Sequence, residues 1–94
     1  MRRGPLPVVQ EVNGNKAYQA VSATTIFQLV SFSSGMTQLH IINEADNNCE
    51  YSFNGTTVKG IVLNRSNRSR TISNETGVYI RLTGGTGTVY VEAY

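Results

Sequence analysis

The sequence predicts an all-β protein: a small antiparallel β-sandwich of about eight short strands, with a jelly roll among the topologies it fits, behind an extended N-terminal arm. Three observations predict it. From Ala17 onward, apolar and polar residues alternate with a period of two in most segments. β-Branched and aromatic residues are interleaved among serine, threonine, asparagine and glycine, and turn signals recur at short intervals. No stretch combines a 3.6-residue period with helix caps.

Residues 1–16 read as the arm. Gly4, Pro5 and Pro7 disfavour helix and central strand, and Asn13-Gly14-Asn15 reads as a turn. Such a segment has little of its own to pack against, so a neighbouring chain is the simplest thing to hold it. Arg2, Arg3, Pro5 and Pro7 are its candidate contacts. Residues 17–94 form the sandwich domain.

Its elements follow in order. Tyr18 to Val21 is a short first strand. Thr25 to Ser31 alternates, with either Phe27 and Leu29 or Ile26 and Val30 facing inward. Ser33-Ser34-Gly35 turns the chain. Gln38 to Glu44 puts Leu39 and Ile41 on one face, and His40, Ile42 and Glu44 on the other. After the Asp46-Asn47-Asn48 turn, Cys49, Tyr51 and Phe53 face inward and Glu50 and Ser52 outward. Asn54-Gly55 is a turn signal, since both residues tolerate positive φ. Thr57 to Leu63 is a strand with Gly60 as a bulge position. Arg65 to Ser69 reads as a polar loop, and Arg70 to Ser73 as a short strand. Val78 to Thr83 buries Val78, Ile80 and Leu82. Gly84-Gly85-Thr86-Gly87 reads as a hairpin loop before Thr88 to Tyr94, which buries Val89, Val91 and Ala93.

Ninety-four residues suit one domain with a modest core, and chains of this size often gain stability from disulfides, metals or oligomerisation. One cysteine, Cys49, forbids an internal disulfide, and one histidine, His40, leaves too few ligands for a zinc site without carboxylates. Oligomerisation remains as the expected source of stability, and no metal or cofactor is expected. A formal charge of +2 is too weak to imply nucleic acid. No apolar run approaches the roughly 18 residues of a membrane span. The start has basic residues but lacks the apolar core of a signal peptide, so an unsecreted chain is expected.

Catalytic chemistry finds few candidates. The chain has one aspartate, Asp46, in a turn, and His40 sits mid-strand in an apolar run. Gly84 to Gly87 precedes a valine-rich strand, not the lysine and helix of a phosphate loop. Cys49 behaves as a small apolar core residue. The distinctive cluster is Arg65, Arg68 and Arg70, whose guanidinium groups suit carboxylates or phosphates. No aromatic residue is interleaved there, which speaks against a platform for single-stranded nucleic acid.

In order along the chain, AVSATTIFQLV, LHIINEADNNCEYSFNG and GVYIRLTGGTGTVYVEAY resemble segments of small β-sandwich structural proteins of tailed bacteriophages. LHIINEADNNCEYSFNG is similar to that group's paired strands, and GVYIRLTGGTGTVYVEAY to its closing hairpin. The likeness spans about three quarters of the chain and contains no active-site signature. It implies a non-enzymatic virion protein, assembled in the host cytoplasm. The role implied first is a capsid decoration, or cement, protein that binds the major capsid protein. The alternatives are a head–tail adaptor or tail component. Arg65, Arg68 and Arg70 would then meet acidic capsid surface. A reading of another class is a carbohydrate-binding module, with Tyr79, Tyr90 and Tyr94 stacking on sugar rings if they share one face of the last hairpin.

Overall fold

The computed structural model describes residues 17–94. The expected arm, with Arg2, Arg3, Pro5 and Pro7, lies outside the described residues. Eight strands follow: β1 (Ala17–Ala23), β2 (Gln28–Ser31), β3 (Gln38–Asn43), β4 (Cys49–Ser52), β5 (Gly60–Val62), β6 (Ser66–Thr71), β7 (Gly77–Leu82) and β8 (Gly87–Ala93). They form two four-stranded sheets, ordered β1-β8-β3-β6 and β2-β7-β4-β5.

The pairing is nested. β1 pairs with β8, β2 with β7, β3 with β6 and β4 with β5, all antiparallel. The chain therefore folds back on itself as one long double ribbon. That ribbon is wrapped over so that β8 also pairs with β3 and β7 with β4. This is the jelly-roll arrangement of a double-sheet sandwich.

Two expected hairpins are absent. β7 and β8 lie in different sheets, so the glycine-rich segment after Leu82 carries the chain from one sheet to the other. β3 and β4 are likewise split between sheets. Of the described strands adjacent in sequence, only β4 and β5 pair. Alternation fixes which face of a strand is apolar but not which strand lies beside it, and the usual preference for pairing neighbours misleads here.

The alternation itself holds except at Ser52, expected outward and fully buried at the end of β4, where its hydroxyl donates to Asn54 Oδ1. Leu39 and Ile41 of β3, Cys49 and Tyr51 of β4, Val78, Ile80 and Leu82 of β7, and Val89, Val91 and Ala93 of β8 are all buried. Phe32, Met36, Ala45 and Ile72 close the core from the connections. On β2 the inward residue is Val30, while Leu29 is exposed and Phe27 half-buried. Phe53 reaches only the rim, where it packs edge-on against Tyr51.

One buried polar group joins the two sheets. The Asn43 amide donates to the carbonyls of Asn47 (2.9 Å), Val62 (3.2 Å) and Leu63 (3.3 Å). Its Oδ1 accepts from the Ala45 amide at 2.9 Å. Asn43 is fully buried at the end of β3, and it ties the β3–β4 crossing to the end of β5. These bonds satisfy backbone groups that the crossing would otherwise bury unpaired.

Candidate functional site: a cationic open edge

Arg65 to Ser69 is not a loop. Residues 66–71 form β6, the edge strand of the first sheet among the described residues. Arg65 alone remains in the turn, with φ of 56°. The register sets Arg70 beside Leu39 and Arg68 beside Ile41. Directly opposed residues of an antiparallel pair point to the same side. Both arginines therefore leave the strand on its inward face, at the lip of the sandwich.

Their side chains bridge the gap between the sheets. The Arg68 guanidinium lies 5.9 Å from the centroid of the buried Tyr51 ring and donates to the Ile61 carbonyl at 3.0 Å. Arg70 lies 5.9 Å from the Tyr51 centroid and 5.4 Å from that of Phe53, and contacts the Tyr51 hydroxyl at 3.4 Å. Both guanidinium groups thus meet the rim of the aromatic core, Arg68 exposed and Arg70 half-buried.

Gly60 makes room for this packing. It pairs directly with Tyr51, and a Cβ there would lie 2.5 Å from the Tyr51 hydroxyl oxygen. Lys59 precedes it, with its amide held by the Tyr51 carbonyl at 2.7 Å. Beside these residues the sheets splay into a cleft of about 390 Å³, lined by Phe53, Asn54, Thr57, Lys59, Arg70 and Glu75.

The electrostatics separate the predicted arginines. Arg65 is paired: its Nε and Nη2 both donate to Asp46 Oδ1, at 3.0 and 2.7 Å. Arg81 is paired with Glu50 at 2.8 Å. Among the described residues, no carboxylate lies within ion-pair distance of Lys59, Arg68 or Arg70. Glu75 is the carboxylate at the cleft, and it accepts from the amides of Ser73 (2.9 Å) and Asn74 (3.2 Å). The Ser73 hydrogen bond leads, and Arg70 adds a smaller share, in holding its carboxyl below the usual range.

The three arginines thus do not act as one cluster. The structure turns Arg65 toward Asp46, sets Arg68 and Arg70 at the Tyr51 ring, and lines the cleft with Arg70 and Lys59, a residue the sequence does not single out. No sequence signal marks Lys59, because its place depends on which strand faces β6. Arg68 and Arg70, however, stand two apart between Asn67 and Thr71, which is strand spacing.

The other candidate arrangements are dispersed. Tyr79 lies on the outer side of the second sheet, edge-on to Phe27 at 6.5 Å. Tyr90 and Tyr94 belong to the β8 side of the first sheet, so the three tyrosines share no platform. On that first sheet, Ser69, His40 and Glu92 stand in one cross-strand row. His40 Nδ1 lies 3.6 Å from Glu92, but Nε2 meets Asn67 Oδ1 at 3.2 Å rather than the Ser69 hydroxyl. A serine nucleophile needs that nitrogen as its base. Among the described residues, no group of three or more His, Cys, Asp or Glu side chains is placed to hold a metal ion. Compared with known proteins, the sequence matches no protein-family model and no curated protein.

Proposed function

We propose that this chain is a non-enzymatic virion structural protein: a capsid decoration protein that seats its cationic edge on acidic surface of the assembled shell. The observation that carries the docking edge is that Lys59, Arg68 and Arg70 line this rim with no carboxylate within ion-pair distance among the described residues. The virion setting rests on the resemblance of the three sequence segments. Fold likeness alone assigns no role, because jelly rolls serve many functions.

The mechanism is bridging. Arg68 and Arg70 are held on a strand by register and by aromatic contacts, so their donors are positioned before a partner arrives. Arginine at such a place suits bidentate pairing with carboxylates. Truncating one member of a desolvated interfacial pair typically costs about 2–5 kcal/mol. Many copies on a repeating shell multiply modest individual contacts.

Purified particles test this reading. On a stained gel, decoration predicts copy numbers comparable to the major shell protein. A handful of copies per particle would instead favour a head–tail adaptor, and absence from particles would overturn the virion reading.

A further inference from the structure

The outer face of the second sheet carries a second, independent surface. Cross-strand register there places Arg81 beside Glu50 and Glu50 beside Ile61. Phe27 extends the row at the β2 end, with the Arg81 guanidinium 4.2 Å from its ring centroid. The row across β2, β7, β4 and β5 therefore reads Phe27, Arg81, Glu50, Ile61. An ion pair of opposite charges occupies the centre, and apolar residues occupy both ends.

Those ends are open to solvent. Leu29 is 55% exposed near one edge, and Ile61 and Leu63 are 43% and 60% exposed near the other. Exposed apolar residues on opposite edges of one small face are not explained by the core, which lies on the sheet's other side. Both flanks of this face are thus apolar, while its middle is charged and locally neutral.

Such a row is its own complement. A two-fold axis parallel to the strands, lying between β7 and β4, sets β2 over β5 of the second copy. Phe27 then meets Ile61, Arg81 meets Glu50, and each contact occurs twice. This is the isologous pattern of a symmetric dimer, and face-to-face sheets accommodate it with strands within about 30° of each other. We infer that the outer face of the second sheet binds a second copy of this chain. The four strands span about 14–15 Å between edge-strand axes at the usual spacing. That is narrow beside the roughly 800 Å² per partner of a standard interface, so a concentration-dependent dimer is expected rather than a permanent one. This inference stands apart from the virion reading, since it uses neither the cationic edge nor the resemblance.

Charge exchange provides the test. The full chain is examined by light scattering over a concentration series, alongside Arg81→Glu, Glu50→Arg and Leu29→Ser. Wild type should rise from 10.3 kDa toward twice that mass. Each charge variant should stay monomeric, because its copies would set like charges face to face. An equimolar mixture of the two charge variants should regain the dimer, since the carboxylate introduced in one chain then meets the guanidinium introduced in the other. Leu29→Ser keeps the ion pair, alters an exposed side chain and should weaken the dimer at least tenfold. Circular dichroism confirms that each variant is folded. A wild type that stays monomeric at every concentration would overturn the inference. So would an unaffected Leu29→Ser dimer, or a variant mixture that remains monomeric.

Discussion

β3 and β6 run side by side, six residues each, yet they solve the inward face in different ways. β3 is central and presents Leu39, Ile41 and Asn43, all buried. β6 is the edge and sets Arg70, Arg68 and Ser66 beside them. Pointing inward therefore does not require an apolar side chain when the strand closes the sandwich at its rim. A long arginine reaches across the rim and sets its guanidinium against Tyr51 and Phe53. Charges aimed inward on an edge also discourage pairing with another chain's edge. The same residues thus guard the strand and leave their donors available to a partner.

The largest effect should come from the buried member of one register pair. Ile41→Ala removes packed atoms from the core and should cost about 2–5 kcal/mol, measured by denaturant unfolding. Equal costs at Ile41 and at its neighbour Arg68 would break the contrast between the two strands.

Asn43→Ala comes next. It would strip bonds from the Ala45 amide and from carbonyls at the end of β5, at about 1–3 kcal/mol for each buried group left unsatisfied. Faster amide exchange should follow at Ala45. An unchanged unfolding midpoint would show that the sheet-joining role is wrong.

Cys49 gives a pH-dependent effect. Burial pushes its thiol up to about 11; a backbone hydrogen bond from Arg81 opposes the shift and nearby Glu50 adds to it. Unfolded, the thiol ionises near its ordinary value of about 8.5, so the unfolded chain loses the proton first. Stability is therefore retained below that value and falls as pH rises toward 11, by up to about 1.4 kcal/mol per pH unit. Cys49→Ala should flatten this part of the profile. An identical alkaline decline in both proteins would contradict the shift.

The smallest stability effect belongs to Arg68→Ala, about 0.5–1 kcal/mol from the ring contact, since its head is exposed.

These contrasts also show what the sequence makes legible. Strict alternation on β3, β4, β7 and β8 identifies their buried faces, because a period of two admits one inward set. Strand partners are not legible. Gly84 to Gly87 has the composition of a hairpin turn, and the same residues serve a crossing between sheets. Most of β6, Ser66 to Ser69, reads as a loop because a strand lacking apolar residues has a loop's composition, although the spacing of Arg68 and Arg70 is that of a strand. Asn43 gives no signal, since a polar residue ending an apolar run resembles the start of a turn. The close approach at Gly60 is not legible, because nothing local reveals the Tyr51 ring that fills its side-chain space.

The central claim is that, among the described residues, the cations without ion-pair partners, and not the basic residues in general, form the docking edge. It is tested most directly by titrating the isotope-labelled chain with a glutamate-rich peptide while following arginine and lysine side-chain resonances by NMR. Arg68, Arg70 and Lys59 should shift together, saturate with one dissociation constant and lose the response as salt rises. Arg65 and Arg81, held by Asp46 and Glu50, should stay nearly still. Equal shifts at all five cations, or a response centred on Arg65, would contradict the account.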